Sequence, residues 1–280
     1  MQPDINLAVA RTRDFDVMGI VNVTPDSFSD AGRYFDPTVA VRHGLALEAE
    51  GASILDVGGE STRPGADPVE AEEESRRVVP VIEALVAAGV RAQISVDTMK
   101  AEVAERALAA GATLVNDVTA LRAAPEIAEL VAAAGARLCL MHMQSPPHQP
   151  PAPRRHSDIV SEVKSFLGER MEFAVAHGVP EERIILDPGF GGGSFGKDLA
   201  QNLELLRRLP ELVALGRPIL VGTSRKGFLG EITGRPVDQR LPATIATNVI
   251  AYEHGARIFR VHDVAPLWDA LTVTAATLDG

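Results

Sequence analysis

Four polar side chains with complementary hydrogen-bonding groups stand at or just after the ends of short apolar runs: Asp97, Asn116, Asp187 and Lys226. A carboxylate accepts hydrogen bonds from two adjacent N–H groups, whereas an asparagine amide both donates and accepts. Lys226 adds a point-charge donor for a ring carbonyl or nitrogen. These groups suit a flat heterocycle with an amino-pyrimidinone edge, along which donors and acceptors alternate.

A second set of residues suits a phosphorylated ligand. Arg63 lies in a glycine-rich loop over 58–65, and Arg260 and His262 end the last apolar run. Burying Arg260 there without a partner would be costly, which favours a functional role. Phosphate binds to many α/β barrels at the loops after the seventh and eighth strands, where these last two residues are expected.

Oxygen ligands for a metal ion are offered by Asn22 together with the hydroxyls of Ser61 and Thr62. Mg²⁺ prefers oxygen ligands and usually keeps several bound waters. These residues therefore predict Mg²⁺ bound jointly with a pyrophosphate group.

Some of these residues also have an ordinary structural interpretation. Asp97 could cap the following helix, because an aspartate before a helix accepts hydrogen bonds from its first N–H groups. Asp187 fits a cap less well, since Pro188 predicts an extended turn rather than a helix. Arg63 could be a solvated loop cation.

The elements that must position these residues alternate regularly along the chain. Short apolar runs typical of buried parallel strands occur at 17–23, 53–58, 92–97, 113–117, 137–141, 183–187, 218–222 and 257–261. Helical patterns occur at 38–50, 69–88, 101–110, 125–134, 158–177, 199–209, 242–254 and 266–278. Glycines that predict helix ends precede seven of the strands: Gly51, Gly89, Gly111, Gly135, Gly178, Gly216 and Gly255.

Eight βα units predict an α/β fold, a (β/α)₈ TIM barrel forming one domain over 1–280, with 1–14 as an N-terminal extension. An open doubly wound sheet is the alternative. Polar residues near the strand ends favour the barrel, where all ends surround one pocket; in an open sheet most would lie far from a single crevice. They are Asn22, Asp56, Asp97, Asn116, His142, Asp187, Ser224, Arg260 and His262.

Composition excludes several function classes. The formal net charge of −11 argues against a diffuse nucleic-acid-binding surface. Cys139 is the only cysteine, so an internal disulfide or a cysteine-rich metal site is excluded, and a small buried hydrophobe is expected. No signal-peptide core or membrane-length apolar run is present, which predicts a cytoplasmic enzyme without a membrane partner.

Eight motifs, in order along the chain, resemble the dihydropteroate synthases, a family of pterin-binding TIM barrels. They are Asn22-Val-Thr-Pro-Asp-Ser-Phe-Ser-Asp30, Asp56-Val-Gly-Gly-Glu-Ser-Thr-Arg-Pro-Gly65, Ser95-Val-Asp-Thr98, Asn116-Asp-Val118, Leu140-Met-His-Met143, Leu186-Asp-Pro-Gly189, Thr223-Ser-Arg-Lys226 and Arg260-Val-His-Asp263. The resemblance implies that 4-aminobenzoate displaces pyrophosphate from 6-hydroxymethyl-7,8-dihydropterin diphosphate, giving 7,8-dihydropteroate for folate synthesis. It also implies Mg²⁺, sensitivity to sulfonamides and a homodimer.

The resemblance further assigns roles to individual residues. The pterin would be bound by Asp97, Asn116, Met141, Asp187, Lys226 and Arg260; the pyrophosphate by Asn22, Thr62, Arg63, Arg260 and His262; and 4-aminobenzoate by Phe28, Asp30, Pro64 and Gly227. Asn22 would bind the metal, and Lys226, Asp187 and Arg260 would act in catalysis. The loop 24–36 would close over the site as a lid.

Two departures from the family pattern stand out. The glycine-rich loop after Asp187 is longer than usual, which leaves open whether Phe190 or Phe195 contacts a substrate ring. That loop also mimics a nucleotide-binding motif, G-x-x-x-x-G-K, but Asp198 follows where Ser or Thr is needed. Gly227 stands where the family often has a serine whose hydroxyl helps bind 4-aminobenzoate; backbone N–H groups could still bind its carboxylate.

Two other functions remain as alternatives for a pterin-binding barrel. One is a methyltransferase that uses methyltetrahydrofolate and shares the Asp and Asn contacts. The other is a non-catalytic pterin-binding relative. The combination of Asn22, Arg63, Lys226 and Arg260 favours the synthase over both.

Overall fold

Eight parallel strands alternate with helices in the computed structural model, which describes residues 14–23, 37–61, 67–145 and 158–278. The strands are β1 Asp16–Asn22, β2 Ile54–Gly58, β3 Gln93–Asp97, β4 Leu114–Asp117, β5 Arg137–Met141, β6 Ile184–Asp187, β7 Leu220–Val221 and β8 Ile258–Val261. All eight predicted strands are therefore present.

The strands form one curved sheet in the order β6-β5-β4-β3-β2-β1-β8-β7. A parallel bridge between Leu186 and Ile219 brings the two outer strands of this order together, and Leu186 N donates to Pro218 O at 3.0 Å. The sheet thus curves back on itself as a nearly closed barrel. The predicted TIM barrel is confirmed, and the open doubly wound sheet is excluded.

Ten α-helices lie among the described residues. They are α1 Pro37–Ala49, α2 Ala71–Ala87, α3 Ala101–Ala110, α4 Ile127–Ala134, α5 Ile159–Ala176, α6 Leu199–Arg207, α7 Pro210–Val213, α8 Gly227–Thr233, α9 Leu241–Glu253 and α10 Val264–Leu278. The sequence did not predict the short helices α7 and α8. All seven glycines predicted at helix ends have positive φ, from 62° at Gly135 to 115° at Gly111, as a left-handed C-terminal turn requires.

A ring of apolar side chains fills the barrel interior. Seven strands each contribute one buried residue to it: Met18, Ile54, Leu114, Cys139, Ile185, Leu220 and Ile258. Cys139 is fully buried, as expected of a small hydrophobe, and burial raises the pKa of its thiol. The ring fills the barrel below its carboxyl end.

The opposite faces of the strands pack against the surrounding helices. Val17, Val57 and Val115 belong to a larger apolar cluster that also includes α2 and α10 side chains such as Val78 and Leu271. Strands covered on both faces explain why the predicted runs are continuously apolar. In the described part of the chain, no helix is both long and apolar enough to cross a bilayer.

The apolar ring should carry much of the barrel's stability. Ile185→Ala deletes a fully buried member of it, and we expect a loss of roughly 2–5 kcal/mol in the free energy of unfolding. Ile232→Ala makes the same change at a side chain that is 51% exposed, and should cost less than about 1 kcal/mol. Urea denaturation of both variants measures the difference, and equal losses would refute the packing role of the ring.

Candidate active site

Most of the candidate site residues follow a member of the apolar ring by two residues along the same strand. Side chains at positions i and i+2 of a strand point to the same face. Asp56, Asn116, Met141, Asp187 and Arg260 each lie two residues after a member of the ring, towards the carboxyl end of the barrel. Strand alternation therefore delivers them all into one pocket floored by the ring.

Arg260 is held between two carboxylates from distant parts of the chain. Its Nε donates to Asp56 Oδ2 at 2.6 Å, and its Nη2 donates to Asp97 Oδ2 at 2.7 Å. Burial lowers the pKa of Arg260, but the charges of Asp56 and Asp97 outweigh this and raise it. Nη1 of Arg260 bonds no group in the described segments, so it can contact a ligand.

Asp56 organises the floor of the polar pocket. Its Oδ1 accepts from Ser95 Oγ at 2.6 Å, and its Oδ2 accepts from Asn116 Nδ2 at 3.0 Å as well as from Arg260. The Asp56 side chain is fully buried and surrounded by donors. The sequence showed this residue at a strand end but gave it no role.

Asp97 and Asn116 lie side by side, paired across β3 and β4. Desolvation raises the pKa of Asp97 to about 7, although Arg260 opposes that shift. Asp97 does not cap a helix, because α3 begins after Lys100. Asp97 Oδ1 and Asn116 Oδ1 have no partner within the ranges described. Both remain available to accept hydrogen bonds from a ligand.

Asp187 ends β6 next to Met141, its neighbour on β5. Its Oδ1 accepts from Gly189 N at 2.7 Å, while its Oδ2 bonds nothing in the described part of the chain. Burial raises the pKa of Asp187 from its ordinary value of 3.8 to about 6, against the hydrogen bond from Gly189. Gly189 has φ of 68°, and a Cβ there would collide with the carbonyl oxygen of His142. Glycine is therefore required at this turn.

Phe195, not Phe190, faces the site. Phe190 is 1% exposed and packs in the outer core. Phe195 packs instead against Val118, Met141 and Met143. This apolar wall stands beside the polar groups and suits the face of a flat ring. Val118 and Met143 were part of the sequence motifs but had no predicted role.

Lys226 lies over the ring of Phe195, with Nζ 3.7 Å from the ring centroid. That distance is typical of a cation–π contact. The charge of Lys226 also lowers the pKa of Asp187, so the two groups face the same space. The structure thus brings Lys226 close to Asp187, and the predicted bond from Lys226 to a ring carbonyl or nitrogen stays a prediction.

Two contacts tie the loops after β7 and β8 together. Ser224 Oγ and His262 Nδ1 are 2.9 Å apart, and Arg225 makes two bonds to Asp263, at 2.6 and 3.0 Å. These contacts place His262 beside the loop that carries Lys226.

Asn22 ends β1 opposite Gly58, where β1 and β2 open into the pocket. Its side-chain amide makes no hydrogen bond to the residues described. No group of three or more His, Cys, Asp or Glu residues in the described ranges could hold a metal by itself. One amide oxygen fits a Mg²⁺ ion only if other oxygen ligands, such as those of a diphosphate, complete its shell.

Several predicted site residues lie outside the described residues: Phe28, Asp30, Thr62, Arg63 and Pro64. Their predicted roles stay predictions. Gly227 is described, and a Cβ added there would meet no atom within 4 Å. The site would therefore accommodate the serine that the family often has at this position.

The nucleotide-binding mimic has a structural explanation. Asp198 and Gln201 form a capping box at the start of α6, with Asp198 Oδ1 accepting from Gln201 N at 2.9 Å. Lys197 is buried and donates to the carbonyl oxygens of Gly189 and Phe195. Its ammonium group is thus directed into the protein rather than towards a phosphate.

Comparison with known proteins decides the family. The chain matches the pterin binding enzyme family over residues 18–262. It is 48% identical over 272 residues to the dihydropteroate synthase of Mycobacterium leprae, covering 94% of this chain and 93% of that one. The Escherichia coli dihydropteroate synthase is 44% identical over 262 residues, covering 94% of this chain and 91% of that one. This chain belongs to the dihydropteroate synthase family. Its members are transferases of folate biosynthesis.

Solved structures of dihydropteroate synthases share the barrel. The Xanthomonas albilineans enzyme with 4-aminobenzoic acid superposes with a TM-score of 0.87 at 49% identity, covering 97% of this chain and 95% of that one. The same enzyme in complex with 7,8-dihydropteroate superposes with a TM-score of 0.84 at 47% identity, covering 95% of this chain and 94% of that one. A Yersinia pestis dihydropteroate synthase with a sulfonamide drug superposes with a TM-score of 0.86 at 42% identity, covering 97% of this chain and 96% of that one.

The raised pKa of Asp187 predicts a dependence of stability on pH. A pKa that is higher in the folded than in the unfolded protein contributes stability at low pH, and this is lost as the pH rises through about 6. Asp187→Asn cannot ionise, so its stability relative to the wild type should increase between pH 4 and pH 7. The gain should be about 1.4 kcal/mol for each unit of the shift. Chemical denaturation across this range tests it; a constant difference between the two proteins would contradict it.

Proposed function

We propose that this dihydropteroate synthase binds the dihydropterin ring of its substrate in the pocket above the apolar ring. One observation carries the proposal. Asp97 Oδ1, Asn116 Oδ1, Asp187 Oδ2 and Arg260 Nη1 have no partner among the described residues, although the other polar atoms of the same side chains are bonded. None of these four atoms is among the buried side-chain atoms of the described residues that lack a partner, so they are accessible to solvent and can contact a ligand.

The carboxylate of Asp187 would accept hydrogen bonds from the amino-pyrimidinone edge of the pterin, and Lys226 would donate to a ring carbonyl or nitrogen. Asn116 and Asp97 would accept from the remaining N–H groups. Met141 and Phe195 line the apolar wall, so they would cover a ring face. The stack that the family places between Arg260 and the pterin also belongs to this proposal.

The diphosphate would lie at the mouth of the barrel. Arg260 and His262 stand on β8 and its following loop. Asn22, Thr62 and Arg63 complete the proposed set. Bound Mg²⁺ would neutralise charge on the departing pyrophosphate, and Asn22 would supply its protein ligand.

The reaction needs no nucleophile from the protein. The amine of 4-aminobenzoate attacks the methylene carbon as the bond to pyrophosphate breaks, and the ring nitrogens of the pterin delocalise positive charge left on that carbon. Arg260 stabilises the leaving charge, while Asp187 and Lys226 fix the ring. Cys139 lies beneath the pocket, and its raised pKa keeps it a neutral thiol.

The 4-aminobenzoate ring would bind between the lid residues Phe28 and Asp30, Pro64 and the start of α8 at Gly227. Sulfonamides would compete there, because they present a similar aniline. A lid that excludes water would protect the cationic carbon from hydrolysis. We also expect a homodimer, as the family resemblance implies, and a cytoplasmic enzyme.

Two alternative functions differ from the synthase in the reaction that takes place. A methyltransferase would take a methyl group from methyltetrahydrofolate, and a non-catalytic relative would bind the pterin without turnover. The relatives described above are named as synthases, and the open contacts of Arg260 suit an anionic leaving group. Both observations favour the synthase.

Pyrophosphate release tests the proposed reaction. With 6-hydroxymethyl-7,8-dihydropterin diphosphate and Mg²⁺, we expect release that depends on 4-aminobenzoate, because the amine traps the cationic carbon. Removing Mg²⁺ with a chelator should reduce the rate at least tenfold. Pterin binding without turnover that depends on 4-aminobenzoate would favour the non-catalytic alternative.

The open space at Gly227 predicts that a serine at this position increases the affinity for 4-aminobenzoate. Gly227→Ser should lower the KM for 4-aminobenzoate about two- to tenfold, since a hydroxyl there adds one hydrogen bond to a carboxylate. The KM for the pterin substrate should not change. Gly216→Ser is not a suitable control because Gly216 has φ of 80°. Gly168→Ser on α5, where an added Cβ would meet only Leu215 Cδ2 at 4.0 Å, serves instead. An unchanged KM for 4-aminobenzoate would contradict the placement.

A further inference from the structure

We infer that Lys197 and Asn202 are positioning residues that fix Phe195 and, through it, Lys226 in the pterin site. The inference rests on the proposed function and adds two residues that do not themselves touch the substrate. The loop concerned, 188–197, connects β6 to α6.

Lys197 joins both ends of this loop to the barrel. Its side chain is 2% exposed. Nζ donates to Gly189 O at 2.7 Å, near the start of the loop, and to Phe195 O at 3.1 Å, near its end. Nζ is also 2.9 Å from Nδ1 of His142, which follows β5. One side chain therefore determines the separation of the two loop ends and their distance from a neighbouring strand.

Asn202 fixes the middle of the same loop from below. It is fully buried on α6, and its Oδ1 accepts from Gly191 N at 2.8 Å. Its Nδ2 donates to Lys197 O at 3.2 Å and to Asp198 O at 2.8 Å. Both functional ends of the amide are used, and all of its partners are backbone atoms of the loop and its junction with α6.

These loop contacts bear on the positions of Phe195 and Lys226. The backbone carbonyl of Phe195 is bonded to Lys197, and its ring lies beneath Nζ of Lys226. A Cβ at Gly191 would approach the Phe195 ring to 3.2 Å and Lys226 Nζ to 3.5 Å, so the loop is closely packed against both. A shift of the loop would move the aromatic surface on which Lys226 rests.

Hydrogen bonding, rather than charge, explains the position of Lys197. Burial lowers its pKa to about 7, and Lys226 contributes in the same direction. The charge of Asp187 opposes this shift. A neutral amine still has two N–H donors for the two carbonyl oxygens, whereas a phosphate-binding lysine needs its charge.

A double-mutant cycle tests the inference, with the affinity of 6-hydroxymethylpterin and the KM for the pterin diphosphate as readouts. Lys197→Met and Phe195→Leu should each weaken pterin binding about tenfold or more. The double variant should be no weaker than Phe195→Leu alone, because Lys197 acts through that ring. Effects that multiply in the double variant would overturn the inference.

A control separates positioning from loss of stability. Leu271→Ala removes a buried side chain of α10 outside the site and should lower thermal stability while leaving pterin affinity within about twofold. A pterin affinity for Lys197→Met equal to that of this control would also overturn the inference. If Lys197→Met does not fold, Asn202→Leu replaces it in the same cycle.

Failure of the proposed function would look different. It would show as wild-type protein that releases no pyrophosphate when 4-aminobenzoate is present. The binding titrations need no turnover, so they report on Lys197 whether or not the wild type turns over.

Discussion

The ion cluster of Arg260, Asp56 and Asp97 is the interaction on which the rest of the site depends. The Arg260 guanidinium is mostly buried and therefore needs charged partners, and removing one partner of a fully buried pair typically costs about 3–5 kcal/mol. Asp56 meets this need from beneath and also binds Asn116 and Ser95. Because these bonds occupy one set of atoms, another set is left facing the pocket. The atoms proposed to bind the ligand are open because of how the polar atoms of the cluster are paired.

The barrel makes this cluster possible by layering. The apolar ring that includes Ile54, Leu114 and Ile258 fills the interior, and the next inward residues on the same strands are Asp56, Asn116 and Arg260. Strand alternation keeps charge out of the ring and brings residues 204 positions apart into contact. Above this layer, the loop after β6 supplies an aromatic wall. Its glycines allow the close turn against His142, while Lys197 and Asn202 hold its backbone.

Much of this could be predicted from the sequence, because the patterns that indicate strands and helix ends are local. Apolar runs marked each strand, and glycines marked the left-handed turns that end the helices. Strand-end polar residues identified the mouth of the barrel. The role of Asp56 could not be predicted, since it depends on the register between β2, β4 and β8. The choice of Phe195 over Phe190 and the inward direction of Lys197 also depend on tertiary packing, which local pattern does not encode.

Calorimetric titration of 6-hydroxymethylpterin into the wild type and Asp187→Asn tests the central claim most directly. The claim is that open atoms in the layer above the apolar ring recognise the pterin. Asparagine keeps the acceptor for Gly189 N but presents an N–H donor at the position of the open Oδ2, where the pterin needs an acceptor. We expect the variant to keep its fold by circular dichroism and to bind at least tenfold more weakly at pH 8. Equal affinity of a folded variant would contradict the account.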